Sequence, residues 1–138
     1  MYLFFCLRSI LLSAMTTTFN WNYGELADGL RCYREGEFFT AHEHWEKVWL
    51  TSAEPEKSLL QAVIQVAAAC HHLQNGNVRG CISLLKSALG RMKDHPSPCA
   101  GIVVEKLRED VRGWVERLEG NSVSDEMESP YPVLRISN

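Results

Sequence analysis

The 138-residue chain has no run of Lys and Arg, no C-x-x-C pair, and no uninterrupted apolar stretch of the ~20 residues a membrane-crossing helix needs. Each absence removes a class of function. Fourteen basic side chains against seventeen acidic ones give a net charge of −3, with nothing clustered to track a phosphate backbone, so nucleic acid is not an expected partner. The five cysteines, Cys6, Cys32, Cys70, Cys81 and Cys99, are odd in number and scattered, which argues against a disulfide framework and against a Cys-based zinc site. A reducing, cytoplasmic compartment fits that usage. No stable membrane span is expected.

What is present is an ordinary globular composition, 46% hydrophobic and 22% charged, at a length suited to one domain. The compositional break lies at the start. Residues 1–20 read as an apolar N-terminal extension whose one charge, Arg8, interrupts the apolar core that a signal peptide would need. Two accounts stay open: a targeting or packed segment, and a mis-assigned start upstream of Met15. Residues 21–119 read as a helical bundle domain, and residues 120–138 as an acidic linker followed by an extended tail, Pro130-Tyr-Pro-Val-Leu-Arg-Ile136, able to dock back on the bundle.

Periodicity over residues 21–119 is helical, without strand-like alternation. Leu26, Ala27, Leu30 and Tyr33 mark a first helix that Gly36 ends. A second runs from about Phe38 to Thr51, and Pro55 suits the start of a third, from about Glu56 to Gln74. Asn75-Gly-Asn77 is a turn in which Gly76 takes positive φ and Asn77 caps the fourth helix, about Val78 to Lys93. His95-Pro-Ser-Pro98 breaks the chain before a fifth helix carrying Val103, Leu107, Val111, Trp114 and Leu118. Short connections favour antiparallel neighbours, so the expected fold is all-α, a compact bundle of about five helices arranged as helical hairpins. Leu26–Trp49 has the look of one tetratricopeptide unit, but no second copy follows.

The second helix is the informative one. His42, Glu46 and Trp49, at i, i+4 and i+7, flank its apolar stripe of Phe38, Ala41, Trp45 and Val48. The third helix offers Gln61, Gln65 and His72 beside Leu60, Val63, Ile64 and Ala67. An unpaired carboxylate near an apolar seam is costly, so His42, Glu46, Gln65 and His72 are expected to converge. The favoured reading is a buried hydrogen-bond network that fixes how the two helices pack. It belongs to a binding or protein-interaction module with no cofactor. Trp45 and Trp49 edge a groove, and one of them nestles against Ala67-Ala-Ala69.

The alternative is a metal-dependent enzyme, a hydrolase, with His42, Glu46 and His72 on zinc or iron and Glu43 or Gln65 nearby. No nucleophile or oxyanion donor stands beside these residues, which favours binding over catalysis. His44 is expected to face solvent, Glu43 to pair with Lys47, and Cys70 and Cys81 to fill the core. The partner is a protein or small molecule, and a homodimer through exposed apolar helix faces is a further expectation.

The stretches Glu35-Gly-Glu-Phe-Phe-Thr-Ala-His-Glu-His-Trp-Glu-Lys-Val-Trp49, Leu60-Gln-Ala-Val-Ile-Gln-Val-Ala-Ala-Ala-Cys-His-His-Leu73 and Gly76-Asn-Val-Arg-Gly80 resemble the family called domain of unknown function 309. The resemblance, carried by an H-E-x-W-E helix, a Gln-bearing Ala helix and a G-N-x-x-G turn, covers roughly Leu26 to Met92. It implies polar positions at His42, Glu43, Glu46, Gln61, Gln65 and His72. Departures fall at Ala62, His71 and Cys81, where the family usually has Gly, an aromatic and Ala. The family is one of small all-helical proteins of bacteria, archaea and plant plastids with no established activity, which adds the plastid stroma to the cytoplasm as an implied location.

Overall fold

The computed structural model describes residues 19–120 and 129–137. The expectations placed on residues 1–18 and 121–128 lie outside the described residues. Five helices follow one another: α1 (Gly24–Arg34), α2 (Phe38–Leu50), α3 (Glu56–Gln74), α4 (Val78–Met92) and α5 (Val104–Leu118). Among the described residues there is no strand, only isolated bridges Cys99–Ile102 and Ile102–Ile136. The fold is all-α, as the periodicity requires.

Each helix packs on the next in chain order, so α3 lies between α2 and α4. Its sequence explains the position. Leu59, Leu60, Ala62, Val63, Val66, Ala67, Ala69 and Cys70 are buried around most of its circumference. Gln61, Gln65, Ala68 and His72 recur at helical spacing and are half-exposed, a single stripe facing water between the flanking helices.

The ends of the helices follow local chemistry. Gly76 at φ +78° closes α3 in the left-handed region that a side chain disfavours. The Asn77 side chain accepts from Gly80 N at 2.9 Å, capping α4. At the far end of α4, the Arg108 guanidinium donates to the carbonyls of Met92, Lys93 and His95. A cation on the last carbonyls of a helix is electrostatically favoured.

Trp45 is the anchor between α1 and α2. It has 0% exposure and donates from Nε1 to Leu26 O at 3.2 Å. Its ring meets Trp21 edge-on and leans on Tyr33. Gly29 makes room: a Cβ there would stand 2.3 Å from the Trp45 Nε1. Full burial corrects the expectation that Trp45 edges a groove. The close approach that a large indole needs is supplied by a glycine on α1.

Residues 129–137 run extended across the bundle. Tyr33 donates its hydroxyl to Pro132 O, Tyr131 packs edge-on against Phe38, and Val133 N donates to Asp110 Oδ2. Val103 N bonds Arg135 O and Ser137 N bonds Gly101 O, tying the segment to the start of α5. Between this segment and the α1–α2 turn lies an open cleft of about 820 Å³ bordered by Arg34, Gln74 and Tyr131.

Candidate functional site on the outer face of the bundle

Contacts between named side chains fix the register. Phe39 meets His71 at 5.4 Å between ring centroids, and Lys57 lies 4.5 Å over the Trp49 ring, so α2 runs antiparallel to α3. Gln65 Nε2 donates to Ser87 Oγ at 3.0 Å and the Asn77 amide meets His72 Nδ1 at 3.1 Å, so α4 runs antiparallel on the other side. His42, Glu46 and Trp49 of α2 therefore border the same outer face as Gln61, Gln65, Ala68 and His72 of α3.

The stripe is partly buried rather than interior. Among the described residues no polar or charged residue is buried. His42 keeps 28% of its side-chain exposure and Glu46 54%, and they stand 3.9 Å apart, beyond hydrogen-bond distance. This corrects the expected buried network. The i, i+4 pair sits on the rim of the α2–α3 seam, where water can solvate the carboxylate and no internal partner is demanded of it. Glu43 is exposed and has no ion pair among the described residues, and Gln61 is half-buried.

His72 is held elsewhere. The Asn77 side-chain oxygen is engaged by Gly80 N, which directs the Asn77 amide N–H₂ at His72 Nδ1, 3.1 Å away. His72 Nδ1 thus accepts from the Asn77 amide. His42, Glu46 and His72 are not among the sets of three ligand atoms that approach within 4.8 Å in the described residues. The metal alternative therefore lacks its third ligand at this place.

Three polar atoms on this face remain without a protein partner although sealed from solvent: His42 Nδ1, Trp49 Nε1 and Gln65 Oε1. Two large apolar side chains of α2 stand out into water beside them, Phe39 at 54% and Leu50 at 66% exposure. Phe39 stacks on the His42 ring. Trp49 is half-buried on this rim, whereas Trp45 is interior.

Other expectations need correction on the α1 side of α2. His44 points at α1 and bonds the Glu25 carboxylate through Nδ1, and Lys47 reaches Glu25 Oε1 at 3.6 Å rather than pairing with Glu43. The hydrogen bond from His44 is the main reason that the Glu25 carboxyl is held below its usual range. Glu25, Asp28 and His44 bring three ligand-type atoms within 4.8 Å of one another. Arg31 at 3.3 Å from Asp28 and Lys47 on Glu25 already supply two cations to the two carboxylates. Sequence spacing gave no signal for this group, because it joins the first turn of one helix to the middle of the next.

The thiols are chemically quiet. Burial pushes Cys70 up to about 12 and Cys81 up to about 11, with the Cys70 sulfur 4.0 Å from the Tyr33 hydroxyl. At neutral pH both are protonated core fillers. No helix of the described residues is long and apolar enough to cross a membrane.

Comparison with known proteins agrees with the sequence resemblance. The family model for the domain of unknown function DUF309 matches residues 26–84, from α1 to the middle of α4. An uncharacterized protein of Aquifex aeolicus (strain VF5) is 32% identical over 95 residues, which cover 66% of this chain and 28% of that protein. The chain thus spans under a third of the length of this curated relative.

Proposed function

We propose that this chain, which belongs to the DUF309 family through residues 26–84, is a binding module whose α2–α3–α4 outer face receives a partner. One observation carries the reading: three polar atoms of that face, His42 Nδ1, Trp49 Nε1 and Gln65 Oε1, are shielded from water and make no protein hydrogen bond. A buried polar group left unpaired costs about 1–3 kcal/mol, so a partner whose docking turns these side chains outward and supplies the missing acceptor and donors recovers energy the free protein has forgone. Exposed Phe39 and Leu50 beside these atoms add apolar area to cover.

The reading has a direct reporter. The indole N–H of Trp49 is unpaired, whereas those of Trp21 and Trp45 are bonded to Ala100 O and Leu26 O. Titration with small amides and carboxylates, followed by ¹H–¹⁵N correlation spectra, should move the Trp49 indole and Gln65 amide peaks and leave the Trp21 and Trp45 indoles in place. Ligands that instead shift only Arg34, Gln74 and Tyr131 would transfer the binding site to the tail cleft and refute the proposal.

A further inference from the structure

The outer face is self-complementary in charge, and this identifies its occupant. Over Val78–Lys93 the chain carries Arg79, Lys86, Arg91 and Lys93 and no acidic residue. Lys86 pairs with Glu119, while Arg79 and Arg91 are exposed and have no ion pair among the described residues. The opposite border, α2 with the turn before it, presents exposed Glu37, Glu43 and Glu46. One edge of the face is thus acidic and the other basic, with the neutral Gln61, Gln65 and Ala68 stripe between.

The register places these charges in step. Antiparallel pairing of α2 with α3 and of α3 with α4 makes α2 and α4 parallel. Following Trp49 to Lys57 and Gln65 to Ser87 across the layer sets Glu46 level with Arg91.

We propose that the partner of this face is a second copy of the chain, related by a two-fold axis running along α3; this rests on the docking role assigned to the face above. A rotation about that axis lays α2 of each copy on α4 of the other. It joins Glu46 to Arg91 twice over and sets the Gln61 and Gln65 amides of the two copies against each other beside small Ala68. Such an isologous arrangement needs one surface to complement itself, as this surface does. Its size is adequate. Helices of 13–19 residues are about 20–28 Å long, and three side by side span about 30 Å, close to the ~800 Å² per partner of a standard interface.

Sedimentation equilibrium on the full chain tests this. The wild type should be a dimer that weakens with added salt. Glu46→Arg and Arg91→Glu should each raise the dimer Kd about tenfold or more, since the axis counts each reversal twice. Mixing the two variants should restore a one-to-one heterodimer, because both cross-pairs then have opposite charges; restoration also shows that each variant folds. A monomeric wild type, or a dimer indifferent to both reversals, would overturn the proposal, as would a mixture that fails to reassociate while both variants keep wild-type circular dichroism. A monomer whose Trp49 indole still answers to small amides would overturn the dimer and leave the docking face standing.

Discussion

Replacing Gly29 by Ala should destabilise this protein, although in a helix the same change normally stabilises. Helix propensity favours Ala over Gly by about 0.8–1 kcal/mol. In α1, however, the added Cβ would lie 2.3, 2.6 and 2.7 Å from Nε1, Cδ1 and Cε2 of Trp45. The indole has no easy retreat. It is completely buried, bonded to Leu26 O, and held by the rings of Trp21 and Tyr33. Overpacking of this kind costs about 1–3 kcal/mol, and displacing the indole gives up a hydrogen bond of about 1 kcal/mol more. Set against the propensity gain, the net loss is about 1–3 kcal/mol. For a domain of this size that lowers Tm by about 4–12 °C. Gly113→Ala is the matched control. Gly113 lies within α5 and an added Cβ there meets nothing within 4 Å, so the substitution should stabilise by about 0.5–1 kcal/mol. Urea and thermal denaturation followed by circular dichroism read both. A Gly29→Ala protein as stable as the wild type would refute the claim that Trp45 is locked between α1 and α2.

Three shorter predictions follow from the same contacts. Asn77→Ala removes the α4 cap and the hydrogen bond to His72, and should cost about 1 kcal/mol in urea unfolding, with the His72 ring signals of the NMR spectrum shifting. The Glu25 carboxyl is depressed in the folded protein, chiefly by His44. Its contribution to stability is therefore present above the unfolded carboxyl pKa and is lost as pH falls through the lower folded value, so Glu25→Gln should lower stability at neutral pH, flatten the acid limb of a stability–pH curve and leave the most acidic end unchanged. In the native protein at pH 8 a thiol reagent should modify half-exposed Cys99 well before Cys70 and Cys81, whose thiols lie near about 12 and about 11. Equal rates for the three would contradict the packing described here.

Helix type and order were legible because each depends on neighbours in sequence. The i, i+3, i+4 recurrence of Leu26, Leu30 and Tyr33, the Gly76 turn and the Asn77 cap act within a turn or two of themselves. The destination of a side chain was harder to read. Trp45 and Trp49 are the same residue one turn apart, yet one is core and the other rim. What separates them is Gly29, sixteen residues upstream and noticed only once α1 lies on α2. His44 was misread for the same reason: its partner Glu25 is on the preceding helix.

The polar stripe shows where pattern reasoning fails in kind. A His and a Glu at i, i+4 share a face, and a carboxylate beside an apolar stripe suggests a buried pair in need of partners. Whether it is buried depends on what covers α3 on that side, and no element of the described fold does: the α2 and α4 helices flank the stripe and leave it open. The His42–Glu46 separation of 3.9 Å then needs no internal explanation, since an exposed carboxylate is satisfied by water. The three sealed atoms beside it are not so satisfied. A packing network would have joined His42 to Gln65 within the chain, and the described residues hold no such bond. The same geometry that excludes a buried network is therefore what favours a face completed from outside.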